Sequence, residues 1–465
     1  MSTINEIKKN KSKIYRTVEV KRRDAITGLF ESEWQDISND VKKWGTLKTE
    51  IDSVRLNKFK FGTLKMTFAN DAGRFNDPDD PASFWFGYLP MQRTLLRIKT
   101  GFYNDVLEDG IYHREKFPVS SIWDDVDTVW DRGNSLWDSE ATSQFKGIVS
   151  GDIFTSDKNE TSFNIRPTLQ LFRDYEARNL NAYDTSMTAS KFMTMVRDHQ
   201  DVNNNYIFRP FFDDTTASWL ISSTTAIYPD LSTSTAENVI NTNVWDVMNK
   251  LAEAENFVIY ISKGGDFVFK DKDNITTTTY EFHGRNSVNT EYGHTIKKIT
   301  SYGLKISKFY TRVQIRHNKL DTTTSYAISE ATLTVSPASS AWLYGERTLK
   351  IENEWMDGTL AQNLATSIFD EVSSIKNEIK FSTSFVPQLD ILDQATISYN
   401  SGTFNFANQW NLNNWGEAGS TVTAGDLIWN SADGDALDFN NKEFKLLSYE
   451  LNLDSMESKF IAREV

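Results

Sequence analysis

Five histidines, His113, His199, His283, His294 and His317, are the residues best suited to hold a metal or move protons near neutral pH. They are scattered without the HxH or HExxH spacing that sets two imidazoles on one ion, so no zinc site is expected. The chain has no cysteine, which rules out disulfide scaffolds and thiolate metal sites. Three acidic clusters, Asp77/Asp79/Asp80, Asp124/Asp125/Asp127 and Asp433/Asp435/Asp438, offer oxygen ligands of the kind calcium takes. None follows the EF-hand loop with its central glycine and terminal glutamate, so they read as solvated turn carboxylates. With 64 acidic residues, spacing singles out no glycosidase pair, because separation along the chain does not fix separation in space. There is no GxSxG and no P-loop, and Gly264-Gly265 lies between two strand-like runs rather than between a strand and a helix. The expectation is a protein with no catalytic, cofactor or metal residues, and therefore not an enzyme.

Tryptophan is where binding competes with packing. Trp123, Trp130 and Trp137 recur every seven residues and each is followed by aspartate, while Trp410, Trp415 and Trp429 stand among Asn, Gly and Asp. Trp123, Val126 and Trp130 begin an a/d pattern, but Gly133 takes the next d place, so a loop or hairpin is preferred to a coiled coil. Propeller repeats with a Trp-Asp dipeptide are about 40 residues long, which does not match. Exposed indoles stack on sugars or serve as protein–protein anchors. These six tryptophans are accordingly the candidate protein-contact residues, with glycan binding as the weaker alternative.

The elements that must carry such loops are mostly strands. Between Ile51 and Asn76, apolar residues fall at Phe59 and Phe61 and then, after Gly62-Thr63, at Leu64, Met66 and Phe68. The parity of the alternation flips at the glycine, so the chain must bulge or turn there. Thr17–Ser38 and Leu95–Ile98 add further strands, and the first region reads as an antiparallel barrel or sandwich. After Ile165-Arg166-Pro167 helical runs appear, LQLFRDYEARNL and TASKFMTMVRDH, with Thr188 or Ser190 as caps for the second. The stretch from Asp201 to Thr235 shows no clear period. Val244, Val247, Met248, Leu251 and Ala252 make a strong helical stripe, capped by Asn241 or Thr242, and a hairpin with a Gly-Gly turn follows over Phe257–Phe269. Asp357 caps a helix striped by Leu360, Leu364, Ile368, Val372 and Ile375. Strands then resume to the end, two of them around Asp454-Ser455.

At 465 residues, 13% of them Phe, Trp or Tyr, the chain is expected to fold into several aromatic-cored domains. Its formal charge of −14 disfavours nonspecific grip on nucleic acid, which depends on cations displacing counterions from phosphate. The start carries Lys8, Lys9, Lys11 and Lys13 without a signal-peptide core and reads as a polar arm. No apolar run is long enough to span a membrane, which predicts a soluble protein.

In their order, four stretches resemble the baseplate or tail-tip hub proteins of tailed bacteriophages, a family that includes the hub portion of type VI secretion spikes. They are FGTLKMTFANDAGRFN, VWDVMNKLAEAENFVIYISKGGDFVF, the run from Asp357 through Leu392-Asp393-Gln394-Ala395-Thr396-Ile397, and KLLSYELNLDSMESKFIARE. The resemblance implies a mainly β chain with α/β insertions and two tube-forming antiparallel β-barrel domains. The expected division is an arm at 1–14, a first barrel at 15–165 with a Trp/Asp loop at 121–140, and a mixed domain at 166–240. A helix-hairpin unit at 241–295 and a second barrel at 296–465 follow, the latter with a helix at 358–375 and a Trp-rich excursion at 401–441. The resemblance also implies a homotrimeric ring that closes the tail tube, adapts sixfold to threefold symmetry and lines a channel through which DNA passes without specific binding. Its partners would be the tail tube, distal-tail proteins and other tip or fibre proteins. Its place would be the virion tail tip, after assembly in the host bacterial cytoplasm. Many hubs continue into a spike or cell-wall hydrolase, whereas this chain ends just after its last strand, so a lytic task is expected of another protein. Alternatives are a distal-tail ring protein, or a glycan-binding or glycan-cleaving protein that uses the Trp loops.

Overall fold

The computed structural model describes residues 14–52, 59–75, 80–88, 94–108, 111–118, 142–157, 159–180, 186–212, 216–227, 242–272, 279–284, 294–317, 327–332, 345–386, 389–400 and 438–465. Its strands through the first region are β1 (Ile14–Lys21), β2 (Gln35–Asp36), β3 (Val41–Lys43), β4 (Thr46–Ile51), β5 (Phe59–Phe61), β6 (Leu64–Ala69), β7 (Leu95–Glu108), β8 (Ile111–Pro118), β9 (Thr142–Asp157) and β10 (Glu160–Pro167). The middle contributes β11 (Trp219–Ile221), β12 (Phe257–Ile261), β13 (Phe267–Asp271) and β14 (Thr279–His283). The last part holds β15 (His294–Leu304), β16 (Arg312–His317), β17 (Ala327–Thr332), β18 (Thr348–Asn353), β19 (Asn377–Ser384), β20 (Gln394–Asn400), β21 (Asp438–Asn452) and β22 (Glu457–Glu464).

The protein is mainly β, as the sequence predicts. The N-terminal sheet runs β2-β1-β7-β9-β10-β6-β3, with β8 also paired to β7. Alternation puts Val18, Val20, Leu64, Met66, Phe68, Leu96 and Ile98 on its buried face. Phe68 and Phe163 pack with ring centroids 4.6 Å apart, and Phe75 and Trp85 cover them. Among the described residues its end strands β2 and β3 do not pair with each other, so this sheet is open there.

The C-terminal sheet does close. Its order β20-β14-β15-β19-β22-β21 returns to β20 through the β20–β21 pairing, giving a six-stranded barrel. It is not wholly antiparallel, because β14 runs parallel to both β15 and β20. Its core includes Phe282, Phe381 and Phe460, whose rings lie 5.0–5.6 Å apart. The long β21 has room for a third partner, and Ser448–Asn452 pairs with β4 from the N-terminal region, with β5 outside it.

That pairing accounts for the parity break at Gly62. The strand does not bulge; it changes sheets. β5 belongs to the barrel sheet, and β6, two residues later, belongs to the N-terminal sheet. Each half buries the face its own sheet requires, so the alternation must restart between them. The outward crossing, from β3 to β4, also passes a glycine. Gly45 has φ +79°, and a Cβ there would lie 2.4 Å from the Lys65 carbonyl oxygen.

Helices fill the middle. Val244–Glu255 buries Val244, Val247, Met248, Leu251 and Ala252, packs on β12 and against the helices Leu169–Asp174 and Ala189–Arg197, and ends on Asn256 in the left-handed region. Its cap is Asn243, not Asn241 or Thr242. The Asn243 backbone is extended and its side chain accepts from the Asp246 N–H at 2.8 Å, while the Thr242 carbonyl is taken by the Ala177 N–H. Thr188 caps Ala189–Arg197, and Asp357 caps Gly358–Val372 by accepting from the Leu360 N–H at 2.9 Å. The described part of the aperiodic stretch after Asp201 folds as short 3-10 turns and β11, which adds in parallel to β13.

Candidate functional site

Residues with chemical potential gather where the helix-hairpin unit meets both large sheets. Ser262 shapes the β12–β13 turn: its N–H donates to the Asp266 carbonyl at 2.9 Å and its hydroxyl to the Asp266 carboxylate at 3.0 Å. This turn inserts Lys263 into the protein with only 5% of its surface exposed. The Lys263 N–H donates to Asp390 Oδ2 at 3.1 Å, and its ammonium lies 4.2 Å from the centre of the Tyr449 ring. Asp393 is buried beside it and accepts from the Asp390 N–H at 2.7 Å. On the other side, Gly265 has φ +91°, and a Cβ there would meet Lys146 Cδ of β9 at 2.6 Å. Hairpin, barrel and N-terminal sheet thus converge on one five-residue turn.

The electrostatics follow from burial. Desolvation pulls the Lys263 ammonium down to about 8, against the opposing pull of Asp390 and Asp393. Desolvation also pushes the Asp390 carboxyl above its ordinary range, with Lys263 acting against it, and drives the Tyr260 and Tyr449 hydroxyls up. The lysine, the carboxylates and the tyrosine ring meet from three pieces of chain, which is a fastening arrangement.

A second seam joins β1, the β3–β4 corner and the β21–β22 turn. The Asp454 carboxylate accepts from the Trp44 N–H at 2.9 Å and the Gly45 N–H at 3.0 Å. Arg16 donates to the Leu453 carbonyl, and its guanidinium sits 4.6 Å from the Trp44 ring centre.

Trp123, Trp130, Trp137, Trp410, Trp415 and Trp429 lie outside the described residues, as do Asp77, Asp79 and the Asp124 cluster with Asp433 and Asp435. Described tryptophans serve packing and cation contacts: Trp85 and Trp355 are fully buried, and Trp34 lies under the Arg97 guanidinium at 4.1 Å. His199 is buried with its Nε2 2.8 Å from the Tyr175 hydroxyl, and His317 lies 3.1 Å from Ser329 Oγ. Burial lowers both imidazoles. The described residues contain no group of three potential metal ligands. Sequence reasoning missed Lys263, whose Gly-Gly context reads as an exposed turn, and the available signal was the carboxylate pair in Leu389-Asp390-Ile391-Leu392-Asp393.

No protein-family model matches the sequence, and no curated protein matches it. Solved structures do align with it over nearly its whole length. A tail protein from Neisseria meningitidis MC58 aligns at 9% identity and TM-score 0.47, covering 97% of this chain and 96% of that one. The 43 kDa tail protein of prophage MuSo2 from Shewanella oneidensis aligns at 10% and 0.45, covering 97% and 98%. Prophage tail protein gp18 from Listeria monocytogenes EGD-e aligns at 11% and 0.45, covering 96% and 94%.

Proposed function

We propose that this chain is a structural, non-enzymatic protein of a phage tail tip, a hub that closes the distal end of the tail tube within the virion. One observation carries the reading. The four stretches that resemble hub proteins form the working joints of the molecule: the return crossing at Gly62, the helix-hairpin fastened through Lys263, the run from Asp357 into β20, and the β21–β22 hairpin. A pattern of apolar places shared with hubs and concentrated at those joints supports a shared architecture rather than a shared chemistry.

The hub's task is geometric. Protomers meeting head to tail turn one surface pair into a closed ring, and edge strands of neighbouring sheets can extend one another around a channel. In this reading the ring is a trimer in which 15–165 and 296–465 act as tube domains, matching sixfold tube to threefold tip. The Trp-rich segments at 121–140 and 401–441 contact neighbouring tail proteins, and the acidic chain lets DNA pass without a counterion-release gain.

Native mass measurement with imaging of the purified particle tests this. Three protomers in a ring that binds the tail-tube protein support the hub. A sixfold ring favours the distal-tail alternative, and a monomer that binds glycans through Trp130 or Trp415 overturns the structural reading.

A further inference from the structure

Where β10 ends, Pro167 turns the chain into the helix Leu169–Asp174. The turn encloses a pocket of about 260 Å³ against the Gly62 crossing, lined among others by Thr63, Arg166, Gln170 and Arg173. Its wall is predominantly polar and no acidic residue lines it. Arg166 and Arg173 approach from opposite ends of the Pro167 turn, and neither forms an ion pair among the described residues. Arg22, Arg74, Arg97, Arg316 and Arg463, by contrast, each pair with a carboxylate. Gln170 donates to Asp174 at 2.6 Å, just beyond the pocket, which leaves its second amide hydrogen available.

Two arginines, a glutamine and a threonine lining one small volume offer the guanidinium, amide and hydroxyl donors that the planar or tetrahedral oxygens of a carboxylate or phosphate take. The volume leaves room for an oxyanion group. We infer that the Arg166/Arg173 pocket is an oxyanion-binding site, independent of the tail-tip reading. The oxyanion comes either from a small free anion or from an acidic side chain of a second copy of this acidic chain.

The test uses the full-length protein at low ionic strength, with R166Q/R173Q as the variant and R178Q, an exposed arginine outside the pocket, as the charge control. Calorimetric titration with inorganic phosphate and pyrophosphate is run beside sedimentation of the protein alone. Saturable 1:1 binding weakened at least tenfold in R166Q/R173Q but not in R178Q identifies a free anion. Self-association lost in R166Q/R173Q and kept in R178Q, without anion binding, identifies the second copy's carboxylate, and both effects together support the site. Wild-type protein that neither binds nor associates, or a double variant that behaves like wild type or like R178Q, overturns the inference. R166K/R173K, which keeps charge but loses the fork, should bind at an intermediate level. If R166Q/R173Q does not fold, R173Q at an exposed helix position carries the same comparison.

Discussion

Lys263 is the residue whose removal should be felt most. Breaking a buried charge cluster from one side leaves its partners uncompensated, at about 3–5 kcal/mol. Desolvation of the ammonium offsets part of that at neutral pH, so Lys263→Met is expected to lower stability there by less than this range in urea unfolding, and K263M/D390N should recover part of the loss. The pH dependence has a definite sign. In the unfolded chain this lysine titrates at its ordinary value of 10.5, and in the fold at about 8. Between those values the unfolded state binds the extra proton, so this residue's contribution to stability rises with pH across the window and is lost as pH falls through about 8. The difference between wild type and K263M should shift in favour of wild type from pH 8 to 10.5, by roughly 3 kcal/mol at 1.36 kcal/mol per pKa unit. A flat difference would show that the ammonium is solvated. The local pattern around Lys263 does not place it inside, because the carboxylates that admit it, though visible as a pair at Asp390 and Asp393, come from residues more than a hundred positions later.

Among the elements, the two crossings between sheets explain why part of the fold was legible and part was not. Alternation reports which face of a strand is buried, so Phe59–Phe61 and Leu64–Ala69 were readable as strands with a break at Gly62. It does not report which distant strand supplies the hydrogen bonds, so the donation of β4 and β5 to the C-terminal barrel left no local mark. Helices, whose periods and caps are local, were legible in position, with Asp357 named as a cap and Thr188 as one of two candidates, but the first stops at Asp174, short of the run LQLFRDYEARNL, and the cap of Val244–Glu255 fell one or two residues later than expected. The corner at Gly45 should be the least tolerant point of the crossing. Gly45→Ala combines positive φ with a 2.4 Å approach to the Lys65 carbonyl oxygen and is expected to cost about 2 kcal/mol or more. Asp454→Ala, which strands the Trp44 and Gly45 N–H groups, should cost about 1.5–3 kcal/mol. Both are measured by chemical unfolding, and wild-type midpoints for the two would mean that the corner is held by something other than these contacts.

At the scale of the molecule, the donated strands mean that the N-terminal region and the C-terminal barrel cannot unfold as independent bodies. β4 lies between β21 and β5, and Leu47, fully buried, stands opposite Leu451. Opening the barrel sheet strips β4 of its partners, the Asp454 seam ties the same regions together at a further point, and the Lys263 cluster fastens the helix-hairpin unit to the barrel. Contacts spanning most of the chain also make folding slow, since the long loops must close before they are rewarded. Leu47→Ala is the discriminating change. It removes side-chain volume from a residue near the N-terminus and should cost about 2–4 kcal/mol. Hydrogen exchange should register that loss in Ser448–Asn452 and along β22, more than in β1 or β7, because exchange follows the cooperative unit and not the sequence neighbourhood. Wild-type protein should unfold in urea as one transition by both near-ultraviolet and exchange probes. Two separable transitions, with the barrel surviving loss of β4, would instead make the donated hairpin an appendage and leave the two ends of the chain free to move apart.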